Sequence, residues 1–321
     1  MALYKHHDEL APKYISKPLK RGKWFHSLME AYYSGEDWKA VHKSYCAQFA
    51  QLFDEEKDKL GNLPVEMSRL MRSYLWHYHN DADWKVHEVE VKLEATLPSG
   101  LPYMGKLDLL VENKVHGGLW LVDHKSHAQM PSFNHRLIDQ QSVLYIWAAR
   151  KNKIPVEGFI WNYVRTNPPK QIRLTKATGR IVKNQGATDY PTAYMSLKAQ
   201  GEDPADHKDF LRPLAAHRYQ TDEVQTSPFF QRVIMEKNPA MIKRALMEAD
   251  HTAVRFQNYD FENRDAVERA IDRSCDWCGY QSLCTTELIG GNADLVIKQQ
   301  YQKQDPHSYY EEDIYGNPAS R

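Results

Sequence analysis

Two acidic residues and a lysine are spaced so that they could act together. Asp123-His124-Lys125 comes directly after an apolar run, residues 119–122, that is typical of a buried strand. Residues two apart in a strand share one face, so Asp123 and Lys125 point to the same side. Asp108 begins the preceding predicted strand and could face Asp123 across a hairpin. These three residues are the first candidates for a chemical centre.

The register of that hairpin follows from its turn. Residues 113–118 are typical of a turn, which we centre between Val115 and His116. Antiparallel pairing about this centre places Asp108 opposite Asp123, with Cβ atoms roughly 5 Å apart. Two buried carboxylates repel each other, and desolvation adds to the cost of keeping both charged. A hard cation such as Mg²⁺ or Mn²⁺ would remove that cost, and it could activate a water for attack on a phosphodiester.

Lys125 has three candidate roles on that face. It could orient the attacking water, deprotonate it, or stabilise charge that grows on the phosphate. Spacing does not distinguish among these roles. An Asp-x-Lys pair at a strand end is also typical of a solvated charge pair, so the other motifs must decide.

The surrounding pattern predicts an α/β fold, with a mixed sheet flanked by helices. Apolar periodicity predicts helices in the first eighty residues, at 134–150 and from about 206, and strands at 86–93, 106–112, 119–124 and 158–164. We expect four segments: a helical N-terminal portion over 1–83, a catalytic core over 84–205, a helical C-terminal portion with a cysteine cluster over 206–298, and a flexible tail over 299–321.

Three motifs follow one another along the predicted core. Gly105-Lys106-Leu107-Asp108 is followed after fourteen residues by Asp123-His124-Lys125, and then by Gln141 and Tyr145 on one helix face. In this order the motifs resemble the RecB-like branch of the PD-(D/E)XK nuclease superfamily. The resemblance implies a restriction-endonuclease-like core that hydrolyses DNA with Mg²⁺ or Mn²⁺. It also implies that Gln141 and Tyr145 position the scissile phosphate or the lysine. From the residues alone, Tyr145 would be core and Gln141 merely exposed.

The resemblance extends to the metal ligands. Residues 21–30 are similar to the family's first motif, in which a glycine precedes a helix whose histidine binds the metal. The implied ligands are His26, Asp108, Asp123 and the backbone carbonyl of His124. Glu90, on the strand before Asp108, resembles a further acidic position of the family, and Glu88 competes for that role.

Three of the four cysteines are crowded near the C-terminus. Cys275, Cys278 and Cys284 have a spacing that lets three thiolates converge on one metal. The same spacing in iron–sulfur members of the branch implies a 4Fe–4S cluster, with Zn²⁺ as the alternative. Those members carry a fourth cysteine before the histidine motif, whereas Cys46 follows His26. Cys46 is therefore a displaced ligand or, as we favour, a buried thiol.

The histidine motif also lies close to Met1. Either the chain begins downstream of the usual start, or the fourth cysteine has been dropped. We therefore expect an incomplete and labile cluster, or zinc in its place.

Charge restricts where DNA could bind. Lys plus Arg and Asp plus Glu number 42 each, so the whole molecule offers no strong field. Residues 158–188 are cationic and contain no acidic residue. We expect Arg165, Lys170 and Arg173 to contact the DNA backbone, and Trp161 to stack on a base of a single strand. Trp161 could equally be part of the core.

The sequence contains neither a long apolar run nor a secretory signal, so we expect a cytoplasmic protein without membrane contact. The resemblance implies an exonuclease that acts on single-stranded DNA or free ends, with a recombination partner protein, in phage or mobile-element DNA processing. One alternative is a structure-specific endonuclease. Another is a non-catalytic DNA-binding protein with a structural metal–cysteine site.

Overall fold

The computed structural model describes residues 3–14, 16–78, 81–167, 169–175, 178–182, 186–216, 227–264 and 267–307, without the side chains of Phe133 and Trp277. The chain forms two compact units. One comprises residues 24–249, and the other comprises residues 1–23 with 250–321.

Strands and helices are mixed along the chain. The strands are β1 (Leu10–Pro12), β2 (Trp84–Thr96), β3 (Pro102–Asn113), β4 (Leu119–His127), β5 (Val156–Arg165), β6 (Phe230–Met235) and β7 (Tyr301–Lys303). The α-helices are α1 (Lys17–Tyr33), α2 (Trp38–Ala50), α3 (Asp54–Leu60), α4 (Leu63–His77), α5 (Phe133–Ile138), α6 (Gln140–Lys151), α7 (Tyr190–Ala199), α8 (Lys208–Ala216), α9 (Pro239–Gln257), α10 (Gln281–Leu288) and α11 (Ala293–Gln300). None of the described helices is long and apolar enough to cross a membrane.

The unit of residues 24–249 contains a five-stranded sheet in the order β2-β3-β4-β5-β6. Neighbouring strands are antiparallel except β4 and β5, which are parallel. A parallel pair needs a crossover, and α5 with α6 provides it. The predicted α/β class, with a mixed sheet flanked by helices, is confirmed.

The hairpin of β3 and β4 has the register that its turn predicts. Leu109 pairs with Val122 and Leu110 with Leu121. Asp108 and Asp123 are the next residues along the two strands at the end of this ladder. The register of this hairpin, which its turn position predicts, therefore places the two carboxylates opposite each other.

The two faces of the sheet pack against different helices. Val122 and Ile160 belong to a core cluster with Phe25 of α1 and Met71 of α4. Strand alternation sends Leu121 and Phe159 to the opposite face. There the ring of Tyr145, from α6, stacks on Phe159 at a centroid distance of 6.1 Å. The predicted catalytic residues Asp123 and Lys125 alternate onto this α6 face.

Three elements differ from the sequence prediction. The helix predicted over 134–150 is two helices, because Asp139 is extended and its carboxylate accepts a hydrogen bond from Ser142 N at 2.9 Å. Strand β6 lies in a region predicted to be helical, because Arg232 between Phe230 and Ile234 hides the apolar alternation of a strand. Strand β7 lies in the predicted flexible tail; residues 308–321 are outside the described part of the chain.

The unit of residues 1–23 and 250–321 has its own small core. Strands β1 and β7 pair antiparallel, with Leu10 opposite Lys303. The core cluster includes Tyr4, Leu10, Tyr280, Leu283 and Tyr301. Tyr280 donates from its hydroxyl to the Leu10 carbonyl at 2.6 Å. This ties the first strand to the cysteine-bearing segment.

A buried cation lies on the α4 side of the five-stranded sheet. Arg232 of β6 donates to the Asp81 carboxylate, and to the Tyr74 hydroxyl at 3.0 Å. Its guanidinium lies 3.6 Å and 3.5 Å from the ring centroids of Tyr78 and Trp84. Burial would lower the pKa of Arg232, but Asp81 together with Tyr74, Tyr33 and Tyr78 outweighs it and holds that pKa well above the ordinary value. Arg232 is therefore a paired charge inside the core.

We predict that Asp81→Ala lowers the free energy of unfolding by about 3–5 kcal/mol, because it leaves Arg232 as an uncompensated buried charge. Urea unfolding followed by circular dichroism measures the effect. Asp54→Ala is the control, since its pair with Lys57 is exposed and contributes little. Equal midpoints for Asp81→Ala and wild type would show that the pair is not a buried charge pair.

Candidate active site

Asp108 and Asp123 form the centre of the site. Both are buried, at 8% and 4% exposure. An Asp108 carboxylate oxygen, Oδ2, accepts a hydrogen bond from the backbone N–H of His124 at 2.5 Å. Lys125 Nζ lies 2.7 Å from Asp123 Oδ2, as an ion pair without a hydrogen bond of regular geometry. The predicted acid–acid–lysine centre is thus assembled at the end of the hairpin ladder.

His26 of α1 joins this centre. Its neighbours Phe25 and Leu28 are fully buried in the core, which turns His26 to the edge of that helix face. Its Nδ1 lies 2.7 Å from Asp108 Oδ1. Helix α1 begins five residues before Gly22, so that glycine lies inside the helix and not before it, as the motif had implied. His26 nevertheless contacts Asp108, the carboxylate with which the resemblance implies that it shares a metal ion.

Charge is distributed unequally over these groups. Burial, and then the charge of Asp108, raise the pKa of Asp123 to about 6, although Lys125 opposes the rise. Burial also raises the pKa of Asp108, but His26 and the other donors outweigh it and leave a net lowering. Burial lowers the pKa of His26, yet Asp108 raises it to about 9. Surrounding positive charge therefore outweighs the burial penalty at Asp108 and offsets it only in part at Asp123.

Glu90 is the third acidic side chain near the site. Its φ is +54°, a strained conformation inside a strand. Its Oε2 lies 2.8 Å from Lys106 Nζ. Burial raises the pKa of Glu90, Lys106 opposes the rise, and Asp108 adds to it. Glu88 is exposed. Between the two candidates for the family's further acidic position, the geometry favours Glu90.

Gln141 and Tyr145 support the strand that carries Asp108. Gln141 Nε2 donates to the Tyr145 hydroxyl at 3.0 Å, and that hydroxyl donates to the Lys106 carbonyl at 2.7 Å. Gly105 leaves the space for this packing, since a Cβ there would lie 2.6 Å from Tyr145 Cε1. Tyr145 is 6% exposed. Its contacts hold β3 in place, and they account for the glycine three residues before Asp108.

The backbone and the side chain of His124 contact different parts of the protein. The side chain is 1% exposed and lies on the α1 and α4 side, where the Tyr33 ring stacks on it at 5.4 Å. Burial lowers the pKa of His124 to about 3, so the ring is neutral. The N–H and C=O of one strand residue point to the same side. We therefore expect the His124 carbonyl to face the side of Asp108, as the implied ligand should.

The predicted DNA-binding residues differ in accessibility. Trp161 is 2% exposed, and Lys125 Nζ lies 5.5 Å from its ring centroid. The prediction that Trp161 stacks on a base is therefore wrong, because its ring is in the core. Arg165 is half-buried and donates from Nε to the Ala128 carbonyl at 3.3 Å. Lys170 and Arg173 are exposed. Two further lysines of the cationic stretch, at 176 and 183, lie outside the described residues.

The carboxylate centre fits a hard divalent cation. Its donors are two buried carboxylates and an imidazole, with positive groups already drawn to them. In the part of the chain that the structure describes, no three His, Cys, Asp or Glu side chains form a ready-made metal shell. At this centre the reason is visible, since Asp108 is engaged by His26 and by His124 N–H, and Asp123 by Lys125. A metal would replace some of these contacts.

The cysteines do not fit a cluster in the same way. Cys278 and Cys284 pack against the apolar core of their unit, and Cys275 Sγ lies 3.9 Å from the Ala270 carbonyl. Cys46 belongs to the other unit, where it packs against the core and lies 3.5 Å from His42 Nε2. Cys46 is half-buried, and its role as a buried thiol or a displaced fourth ligand stays a prediction.

The superfamily follows from these motifs and from comparison with known proteins. The model of the PD-(D/E)XK nuclease superfamily matches residues 2–285. The chain belongs to the PD-(D/E)XK nuclease superfamily, whose members generally use divalent metal ions such as Mg²⁺. The resemblance is thereby confirmed for the superfamily, and the RecB-like branch stays a prediction.

Two solved structures are similar at 12% identity. The crystal structure of a candidate exonuclease from Eubacterium rectale has a TM-score of 0.36, with 83% of this chain and 81% of that chain covered. The structure of SSO0001 has a TM-score of 0.30, with 82% and 84% covered. No curated protein matches the sequence. The assignment therefore rests on the family model.

Sequence reasoning missed the residues behind the catalytic strand. Asn162 is 0% exposed within an apolar strand. Its Nδ2 donates to the Tyr74 hydroxyl, and Arg232 donates to the same hydroxyl. A signal was present, since Asn162 interrupts a run of large apolar residues in which a polar side chain must be paired. Arg232 gave no such signal, because its strand was not recognised.

We predict that Gly105→Ala lowers the free energy of unfolding by about 1–3 kcal/mol, since the added methyl overlaps the Tyr145 ring. Gly22→Ala is the matched control. Its Cβ would meet nothing within 4 Å, and alanine inside a helix should stabilise by about 0.5–1 kcal/mol. Denaturant unfolding of both variants measures the difference. A Gly105→Ala chain as stable as wild type would refute this packing.

Proposed function

We propose that this chain is a Mg²⁺- or Mn²⁺-dependent deoxyribonuclease that degrades DNA from an end, with a preference for single strands. The observation that carries the proposal is the pair of buried carboxylates, Asp108 and Asp123, with His26 and Lys125 in direct contact. Membership of the nuclease superfamily supports the reaction class. The resemblance to RecB-like exonucleases supports action at ends, in phage or mobile-element recombination, with a recombination partner protein and in the cytoplasm.

The roles of the residues follow from their positions. Asp108, Asp123, His26 and the His124 carbonyl would hold the divalent ion, with Glu90 beside them. When bound, the ion supplies charge that activates a water and stabilises the leaving oxygen. Lys125 is an ammonium held by Asp123, since burial lowers its pKa but Asp123 raises it further. We expect it to orient the water or to stabilise charge on the phosphate.

The exposed cations of the stretch after β5 would hold the DNA backbone. Lys170 and Arg173 are exposed, and Arg165 ends β5 beside His127 of the catalytic strand.

The cysteine segment would hold iron–sulfur or zinc only after the thiols move into contact with a common ion. Metal analysis of anaerobically purified protein, with Cys275→Ser as the control, tests whether they do.

We predict that Asp108→Ala or Asp123→Ala abolishes cleavage and leaves folding largely intact, because each change removes a ligand and also relieves like-charge repulsion. Lys125→Ala should be nearly as severe. Glu88→Ala, which removes an exposed carboxylate from β2, should retain activity. End-labelled linear DNA incubated with Mg²⁺, Mn²⁺ or EDTA measures cleavage. An Asp108→Ala, Asp123→Ala double variant that cuts at the wild-type rate would refute the site.

The same assay distinguishes the mode of attack. A circular single strand should survive an enzyme that needs an end, while the linear strand is degraded. Cutting of the circle would make the chain a structure-specific endonuclease. DNA binding without metal-dependent cutting would make it a non-catalytic DNA-binding protein.

We predict that neutralising Arg165, Lys170 and Arg173 together weakens DNA binding and flattens its salt dependence. Each lost phosphate contact should remove roughly 0.7–0.9 from the log–log slope. The rate at saturating DNA should change less. A control triple at Lys39, Lys43 and Lys59 removes the same charge from exposed positions of α2 and α3. Equal salt slopes for the two triples would show that the stretch after β5 does not contact DNA.

A further inference from the structure

A row of buried polar side chains crosses the sheet behind the catalytic residues. His124 of β4 is in register with Asn162 of β5, and Asn162 is in register with Arg232 of β6. His124 and Asn162 are 1% and 0% exposed. Asp123 and Lys125 alternate to the opposite face. The row therefore lies directly behind the strand segment that carries the candidate catalytic groups.

Hydrogen bonds connect this row into one network. Asn162 Nδ2 lies 2.7 Å from His124 Nδ1 and donates to the Tyr74 hydroxyl at 2.6 Å. Arg232 donates to the same hydroxyl at 3.0 Å. The Tyr33 hydroxyl lies 2.7 Å from it and donates to Asp81 at 2.6 Å. The polar row is defined as His124, Asn162, Tyr74, Tyr33, Arg232 and Asp81.

Stability does not account for the polar row. Buried polar groups cost free energy unless every donor and acceptor is paired. Asn162 Oδ1 and His124 Nε2 are buried without a hydrogen-bond partner among the described residues. On the same face of β5, Ile160 and Val164 are apolar and fully packed. An apolar side chain at 162 would fill this face without unpaired groups, so the polar residues need another explanation.

The contacts of His124 provide that explanation. Its side chain is held by Asn162 and by the stacked Tyr33 ring, on the face away from the site. Its backbone N–H holds the Asp108 carboxylate at 2.5 Å. Beyond Leu109 and Val122 the ladder of β3 and β4 has ended, so among the described strands it is β5 whose ladder still holds this segment of β4, and Asn162 is the β5 residue in register with His124. A change at Asn162 would therefore act on the strand edge that fixes the His124 backbone.

We propose that the polar row positions the metal site, by fixing the His124 backbone that holds Asp108 and offers a carbonyl ligand. The proposal rests on the proposed metal-dependent function. The other five residues of the row touch neither substrate nor metal, and they act through His124. Loss of a positioning partner behind a ligand typically weakens metal binding 10- to 100-fold.

Asn162→Leu tests this inference in the full-length chain. It removes both hydrogen bonds of the amide and keeps a side chain of similar size. Direct Mn²⁺ binding, measured from the resonance signal of free Mn²⁺, should show a dissociation constant raised about 10- to 100-fold. The Mg²⁺ concentration for half-maximal cleavage should rise in parallel, while the rate at saturating Mg²⁺ recovers most of the wild-type value.

Ile160→Ala is the matched control, two residues away on the same strand and the same face. It should lower the thermal midpoint because it leaves a cavity, and it should leave the Mn²⁺ dissociation constant unchanged. A folded Asn162→Leu variant with wild-type Mn²⁺ affinity would overturn the proposal. So would an equal loss of affinity in Ile160→Ala, since that would reduce the effect to general stability.

Tyr74→Phe covers the case in which Asn162→Leu does not fold. It removes one hydroxyl that Asn162 and Arg232 share, and it should raise the Mn²⁺ dissociation constant in the same direction. Unchanged affinity in this variant would overturn the proposal. If the wild-type chain binds Mn²⁺ but cuts no DNA, the proposed nuclease function fails alone, because the affinities of the variants still test the polar row. A wild-type chain that binds no Mn²⁺ overturns both.

Discussion

Mutual repulsion between Asp108 and Asp123 is the constraint on which the rest of this site depends. Both carboxylates are buried at the end of an apolar hairpin, and each makes the other harder to ionise. Every polar contact around them opposes that cost: His26 and the His124 N–H at Asp108, and Lys125 at Asp123. A fold that maintains such a pair against desolvation is prepared for a cation, which explains why the chemistry of the superfamily fits this arrangement.

The candidate catalytic residues of β4 and the proposed positioning residues lie on opposite faces of the sheet. Its α6 face carries Asp123 and Lys125, while its α1 and α4 face carries the buried polar row at His124, Asn162 and Arg232. Strand alternation makes this separation unavoidable, because consecutive residues of β4 point to opposite sides. His124, which lies between Asp123 and Lys125, therefore points its side chain away from the site, where the polar row can hold it. On the α6 side, Tyr145 has a comparable role at β3, where its hydroxyl reaches the Lys106 carbonyl.

Local pattern predicted the hairpin, its register and the α/β class, because apolar alternation and turn position are properties of short segments. The placement of His26 against Asp108 came from resemblance and not from helical periodicity, which indicated only an edge position. Strand β6 escaped prediction because Arg232 interrupts its apolar alternation, and that arginine is paired only by residues distant in sequence. Trp161 was ambiguous for the same reason, since only tertiary packing decides whether an aromatic strand residue faces DNA or the core.

The central claim is that Asp108, Asp123 and His26 hold one divalent cation. The most direct measurement is a crystal structure of the chain soaked in Mn²⁺, with anomalous diffraction data that locate the metal independently of any model bias. We predict an anomalous peak within ligand distance of the carboxylates of Asp108 and Asp123, with His26 Nδ1 turned toward it and Lys125 displaced from Asp123. An intact His26–Asp108 contact with no peak beside it, at a Mn²⁺ concentration that supports cleavage, would contradict the account.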